Sequence, residues 1–374
     1  MEKITKREFI KKSLFFMGGA FAFGMGKGFA SSGEDKPWKW SREAYFFTET
    51  PRGVKCGICP NECTLRPGET STCNNRVNYN GKLFTIAYGN PCAVHIDPIE
   101  KKPLLHFLPK STVFSIATAG CNFACLNCQN WDISQTSPKK TRNYDLMPDK
   151  VVDECLKSNC LSIAYTYSEP VSFYEYVHDT AKIAHSKGIK NVFISNGYIN
   201  REPLLKLVPY LNAANINLKS FDNTIYLKLN GGKLQPILDT LKILKDNNVW
   251  LEITNLIVPS WTDNFDMIKR MCEWLVTKGF AEYPLHFNRF FPTYKLTQLP
   301  STPINTLERA KAIAQEAGCK YVYVGNTPEL GHDDTFCPSC SKLVVERRGY
   351  SILSMNMEKG KCKFCGYKIN GVWD

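Results

Sequence analysis

Between residues 111 and 328 the chain alternates short apolar runs with longer stretches whose apolar positions recur at helical spacing. The runs 113–119, 161–167, 191–195, 215–219, 250–257, 284–290 and 321–324 are predicted strands, and the stretches 149–158, 172–187, 202–210, 236–247, 264–278 and 305–317 are predicted amphipathic helices. Asp149 and Asn305 are candidate N-caps; Gly188, Gly279 and Gly318 are candidate stops. Alternating strand–helix units of this length imply a parallel α/β sheet, wound open or as a barrel. In such barrels the functional residues gather at the C-terminal strand ends.

The flanks follow other patterns. Residues 1–30 have a basic start through Lys6-Arg7, an apolar stretch from Leu14 to Met25 and small residues around Gly28-Phe29-Ala30. This is expected to be an export signal of twin-arginine type, with Lys6 where that signal has its first arginine. The alternative is a cytoplasmic protein that keeps an amphipathic N-terminal helix. The apolar stretch is too short and glycine-rich for a comfortable membrane span. Residues 31–50 read as a polar linker, 51–110 as a cysteine-rich module with a strand at Leu83–Tyr88, and 329–374 as a separate module.

Composition adds less. With 374 residues, 43% hydrophobic and 12% aromatic, the chain can bury a large core. The net charge of +12 is spread without a basic stripe interleaved with aromatics, so a solvated surface is expected and no nucleic-acid signal stands out. The sixteen cysteines matter more, because most fall in groups: 56, 59, 63 and 73; 121, 125 and 128; 337, 340, 362 and 365. Paired C-x2-C spacing reads as metal ligation rather than as a disulfide framework. Cys92, Cys155, Cys160, Cys272 and Cys319 are scattered and read as small buried apolar residues.

The middle group is one thiolate short. Cys121, Cys125 and Cys128 form C-x3-C-x2-C directly after an apolar run. A cubane iron–sulfur cluster takes four thiolates, so three leave one iron open to an outside ligand. The flanking groups each have four. Cys56, Cys59, Cys63 and Cys73 form a knuckle fit for zinc or an iron–sulfur cluster, which spacing alone does not separate. Cys337, Cys340, Cys362 and Cys365 read as a closed zinc ribbon, with strands at Leu343–Glu346 and Tyr350–Leu353 between the pairs.

C-x3-C-x2-C after a strand resembles the signature of the radical S-adenosylmethionine (SAM) enzymes. The resemblance implies a partial TIM-like (β/α)6-type barrel, a [4Fe–4S] cluster on Cys121, Cys125 and Cys128, SAM chelated at the free iron, and a low-potential electron donor. Asn127 departs from the aromatic residue usual before the last cysteine. Together with the knuckle and the segment from Asp97 to Phe107, the run Cys128–Gln135 resembles a narrower group. These are the radical SAM enzymes of the AmmeMemoRadiSam system, relatives of the pyruvate formate-lyase activating enzymes. That likeness implies a substrate or product shared with Memo-type and AMMECR-type partners, or activation of a protein.

The resemblance also implies SAM contacts. Ser168-Glu169-Pro170 stands where the family has a Gly-Gly-Glu-Pro-like turn near the SAM amino group. Asn196, in Ser195-Asn196-Gly197-Tyr198, matches a turn near the ribose or carboxylate. Lys219 follows Asn217-Leu218, where relatives carry Asp-Leu, and suits the SAM carboxylate or a substrate anion. Period two puts His286 and Asn288 on one strand face, so His286 either lines the cofactor cavity or is a satisfied core histidine. The rival from another class is a non-catalytic electron-transfer or scaffold protein with several iron–sulfur and zinc knuckles.

Overall fold

The computed structural model describes residues 36–327 and 331–374. The expected export signal at residues 1–30 lies outside the described residues. Among the described residues, no helix is long and apolar enough to cross a membrane.

The N-terminal part is built from small antiparallel sheets. Strands β1 (Arg42–Glu43), β6 (Lys82–Thr85) and β5 (Arg76–Tyr79) form one; β2 (Phe47–Thr50), β3 (Gly53–Cys56) and β4 (Thr64–Leu65) form the other. Part of the expected linker is therefore strand. Ala44 is buried, and the Tyr45 amide donates to Glu175 at 3.0 Å, which ties this stretch to the helical layer.

The centre is one eight-stranded sheet in the order β14-β13-β12-β11-β10-β9-β8-β7. Its members are β7 (Ala93–Pro98), β8 (Thr112–Ala117), β9 (Ser162–Tyr165), β10 (Lys190–Ser195), β11 (Ala213–Asn217), β12 (Trp250–Ile257), β13 (Leu285–Arg289) and β14 (Val322–Gly325). From β8 onward every pairing is parallel, whereas β7 runs antiparallel to β8. Sequence order equals spatial order because each parallel pair is joined by a helical crossover.

Those crossovers are α1 (Pro148–Lys157), α2 (Tyr174–Ser186), α3 (Arg201–Leu207), α4 (Leu234–Asp246), α5 (Phe265–Thr277) and α6 (Ile304–Glu316). Their apolar stripes meet the strands in one core that includes Val152, Val177, Leu241, Ile268, Ile163, Phe193, Ile216 and Leu251. Helix starts differ from expectation by one or two residues. Met147 caps α1 with Pro148 at its first position, and Pro303 caps α6, which leaves Asp149 and Asn305 inside their helices. Pro148 supplies a preset φ and lacks only an N–H that would be unpaired there. The three stop glycines all hold positive φ just past their helix ends.

The sheet is floored by the segment after β7 and by the C-terminal module. Glu252 on β12 accepts from the Leu105 amide at 3.0 Å and the His106 amide at 2.8 Å. The Val372 amide donates to the His106 carbonyl at 2.8 Å, and Arg347 Nη2 donates to the Leu105 carbonyl at 2.8 Å. The module itself has strands β15 (Thr335–Phe336), β16 (Leu343–Arg348) and β17 (Ser351–Met355), plus the pair β18 (Met357–Glu358) and β19 (Lys361–Cys362).

Candidate active site

The loop Gly120–Cys128 leaves the C-terminal end of β8. Gly120 holds φ +100°, and a Cβ there would fall 2.5 Å from the Cys73 carbonyl oxygen. Only glycine lets the loop turn this closely against the knuckle. Asn61, between Cys59 and Cys63, donates to the Asn122 carbonyl at 2.8 Å. Asn122 in turn donates to the Tyr198 carbonyl and accepts from Asn196 Nδ2, both at 2.8 Å. The cysteine loop is thus fastened on one side to the knuckle and on the other to the turn after β10.

Each thiol has a local partner. Cys121 Sγ accepts from the Phe123 amide at 3.4 Å, and Cys125 Sγ from Asn230 Nδ2 at 3.2 Å. Cys128 is hydrogen-bonded by Ser134. Burial pushes the Cys121 and Cys128 thiols up; the Glu169 carboxylate and then Cys125 add to this at Cys121, and Cys125 adds to it at Cys128. Burial thus favours neutral thiols at Cys121 and Cys128 unless a metal binds, since metal ligation is what deprotonates buried thiols. The donor set fits an iron–sulfur cluster with one open position.

Asn230 was not foreseen. It ends a π-helical turn, Tyr226–Asn230, that follows β11. The carbonyls of Leu229 and Asn230 accept from the Leu126 and Ala124 amides at 2.9 Å each, so this turn clamps the cysteine loop. Such turns recur at functional sites. The Gly231-Gly232 pair behind it was the available signal: a side chain at Gly232 would run into the Phe123 ring.

The three cysteines sit at one end of a 520 Å³ cavity. Strands β8 to β14 all supply lining residues from themselves or the turns after them, so the sheet curls around it. Amides dominate the wall, among them Asn127, Asn196, Asn217 and Asn288; Lys101, Lys102 and Lys219 supply positive charge. Tyr350 reaches the cavity from the C-terminal module.

The expected SAM contacts divide. Ser168, Asn196 and Lys219 line the cavity. Ser168 Oγ donates to the Thr118 carbonyl at 2.6 Å, and Lys219 places its charge near Cys128 and Glu169.

Glu169 does not line the cavity. Only 2% exposed, it accepts from Ser195 Oγ at 2.7 Å, the Asn196 amide at 2.8 Å and the Val171 amide at 3.1 Å. Burial raises its carboxyl to about 7, against those hydrogen bonds. It braces the turn after β9 against the turn after β10.

His286 also lies elsewhere. Its Nε2 is 2.7 Å from Glu252 Oε2 and its ring rests on Tyr323, one layer below Asn288. It is a satisfied core histidine, and it is Asn288 that reaches the cavity.

Of the two outer cysteine groups, it is the C-terminal one whose thiols converge. The thiols of Cys337, Cys340, Cys362 and Cys365 all lie within 4.8 Å of one another and could hold a metal ion. Cys56, Cys59, Cys63 and Cys73 line a small common pocket with Arg76. Arg76 is buried, pairs with Glu175 at 2.5 Å and leaves Nη2 without a hydrogen-bond partner. Of the scattered cysteines, 155, 160, 272 and 319 are buried and Cys92 is half-buried.

A parallel sheet curled around a cavity, with a three-cysteine loop after its first parallel strand, defines a class. The model of the radical SAM superfamily matches residues 115–275. The chain is 45% identical over 334 residues to an uncharacterized protein of Methanocaldococcus jannaschii, covering 88% of this chain and 99% of that one. It is 26% identical over 218 residues to the pyruvate formate-lyase 1-activating enzyme of Escherichia coli K12, covering 54% of this chain and 89% of the enzyme. A solved radical SAM methyltransferase from Sphaerobacter thermophilus overlays 58% of this chain and 67% of its own, with TM-score 0.47 and 14% identity. Residues 115–275 thus carry a radical SAM domain. Such a domain implies a [4Fe–4S] cluster and SAM.

Proposed function

We propose that this protein is a radical SAM enzyme with its reaction chamber in the cavity, read as the interior of a partial barrel. The observation that carries this is the incomplete thiolate set: Cys121, Cys125 and Cys128 face the cavity with no fourth cysteine lining it. Cys121, Cys125 and Cys128 would hold a [4Fe–4S] cluster, and the chemistry it would supply is one-electron reductive cleavage of SAM for hydrogen abstraction from a substrate.

The chain's own residues hold and tune this chemistry. Asn230 and Ser134 donate to cluster thiolates and stabilise added negative charge. Lys219 sits where a SAM carboxylate or a substrate anion would gain from its charge. Ser168 and Asn196 present polar atoms to the same space. Cys337, Cys340, Cys362 and Cys365 would hold a structural zinc, because four thiolates close a tetrahedral site. Cys56, Cys59, Cys63 and Cys73 would hold a further metal centre behind the cluster loop. Relatives named as activating enzymes support a protein substrate, and partnership with Memo-type or AMMECR-type proteins belongs to the same proposal.

The test is anaerobic reconstitution with iron and sulfide, followed by SAM and dithionite and chromatography for 5′-deoxyadenosine. Its formation, and its loss in Cys125→Ala, is the expected result. No product at full cluster occupancy would favour the electron-transfer or scaffold reading.

A further inference from the structure

The cavity has a second charged end that the cluster chemistry leaves unused. β7 ends at Pro98, opposite Thr112 at the start of β8, so the chain beyond it lies toward the N-terminal ends of the parallel strands. Lys101 and Lys102 follow there and line the cavity, away from the cysteines at the C-terminal ends.

Lys102 is 2% exposed, a rare place for an ammonium group. Its Nζ donates to Asp97 Oδ2 at 2.7 Å, and Lys101 Nζ donates to Asp97 Oδ1 at 2.8 Å. The Tyr167 hydroxyl also donates to Asp97, and the Lys102 ammonium lies 4.3 Å from the Tyr167 ring centroid. Tyr167 holds φ +62°, a conformation that a bulky residue adopts only when its surroundings force it. Asn130, two residues after Cys128, fixes the Tyr167 carbonyl at 2.7 Å. Strain, a buried ammonium and a tie to the cluster loop thus meet in one corner.

The charges there do not cancel. Two ammonium groups share one carboxylate, and Lys101 alone would neutralise Asp97. A second, buried lysine costs desolvation that its share of that one carboxylate offsets only in part. Burial accordingly lowers Lys102 to about 8, against the pull of Asp97. Lys219 belongs to a different neighbourhood, since its charge acts on Cys128 and Glu169 at the cluster end, whereas Lys102 is shifted by Asp97 and Lys101.

Resting on the radical SAM reading of the cluster end, we propose that Lys101 and Lys102 are the substrate-recognition end of the cavity. They receive a carboxylate or phosphate group of the substrate. Asp97 and Tyr167 hold the two ammonium groups in place until that anion arrives.

The experiment is calorimetric titration of the cluster-loaded full chain at pH 7 with inorganic phosphate and, separately, malonate. At least one is expected to bind saturably. Lys102→Met should weaken that binding by about tenfold or more, the loss expected for a charge-assisted hydrogen bond. Asp97→Asn should tighten it, because the competing carboxylate is gone. A merely structural corner would make both variants weaken binding together, and that result overturns the proposal. So does a wild-type protein that binds neither probe, or a Lys102→Met variant that binds as wild type does. Lys102→Arg keeps the charge and should retain binding, which guards against misfolding of the methionine variant. Stronger binding of phosphate than malonate identifies a phosphorylated substrate, and the reverse a carboxylic acid. SAM binding is read in the same wild-type preparation. If SAM fails while the anion binds, the cluster reading alone falls; the converse removes this one alone.

Discussion

Asn230 Nδ2 donates to Cys125 Sγ at 3.2 Å from a fully buried position. Hydrogen bonds to cluster sulfurs stabilise the reduced, more negative state and so raise the reduction potential. Asn230→Ala is therefore expected to make the cluster harder to reduce. Potentiometric titration followed by electron paramagnetic resonance would show a more negative midpoint. An unchanged midpoint would remove Asn230 from the tuning role and leave it as a clamp.

The floor of the sheet should be acid-sensitive. His106 is fully buried, with Nδ1 2.7 Å from the Asn370 carbonyl and Nε2 2.5 Å from the Tyr323 hydroxyl. Burial lowers its pKa from 6.5 to about 4, even though Glu252 pulls the other way. The unfolded chain thus takes up this proton between pH 6.5 and 4 while the folded chain refuses it. Stability is intact above pH 6.5, falls as pH drops, and has lost roughly 3 kcal/mol from this group below pH 4. Glu252, held below the usual carboxylate range by His286 despite its burial, adds a loss of the same sign at still lower pH. Thermal unfolding between pH 7 and 4 checks this, and a flat melting temperature would contradict it.

The C-terminal module should depend on its metal. Its four thiols converge within 4.8 Å, and its own strands are short. A zinc chelator is expected to make residues 331–374 protease-sensitive. Because Arg347 and Val372 hold the segment at Leu105–Leu108, the same treatment should lower the melting temperature of the whole chain. Metal removal that leaves the module resistant to protease would argue for a metal-free fold.

The knuckle should hold metal independently of the central loop. A protein with Cys121, Cys125 and Cys128 all changed to alanine is expected to retain, by elemental analysis, metal beyond the one ion per chain that the C-terminal group could hold. Adding Cys73→Ser should release that excess. A triple variant with no more than one ion per chain would show that the knuckle cysteines are structural thiols.

Much of this was legible from the sequence because parallel strands between helices read as plain apolar runs. Each predicted strand and helix from β8 onward exists within a few residues. β7 was missed for a physical reason: it is an edge strand with His95 and Ile96 exposed, a proline at its end and a charge cluster beyond. Such a strand leaves neither an apolar run nor a clean alternation. The three central cysteines were readable because ligand count is a property of sequence. Depth along a strand is not. Period two put His286 and Asn288 on the correct face but could not say that one lies a layer beneath the other. Glu169 misled for a related reason. A carboxylate after a strand looks like a ligand, and only the fold shows three donors already on it. Lys102 was hidden in the segment from Asp97 to Phe107, where nothing in the sequence marks one lysine of an adjacent pair as buried.

The contact between Gly120 and the Cys73 carbonyl has a practical consequence for handling the protein. The Cys73 carbonyl oxygen stands where a side chain at residue 120 would be, so the knuckle and the loop that carries Cys121 pack backbone to backbone and a distortion of one bears on the other. Oxidation or chelation at the outer cysteines during purification would then surface as failure to rebuild the central cluster. A preparation that refuses iron at the centre should first be assayed for what it has lost at residues 56–73.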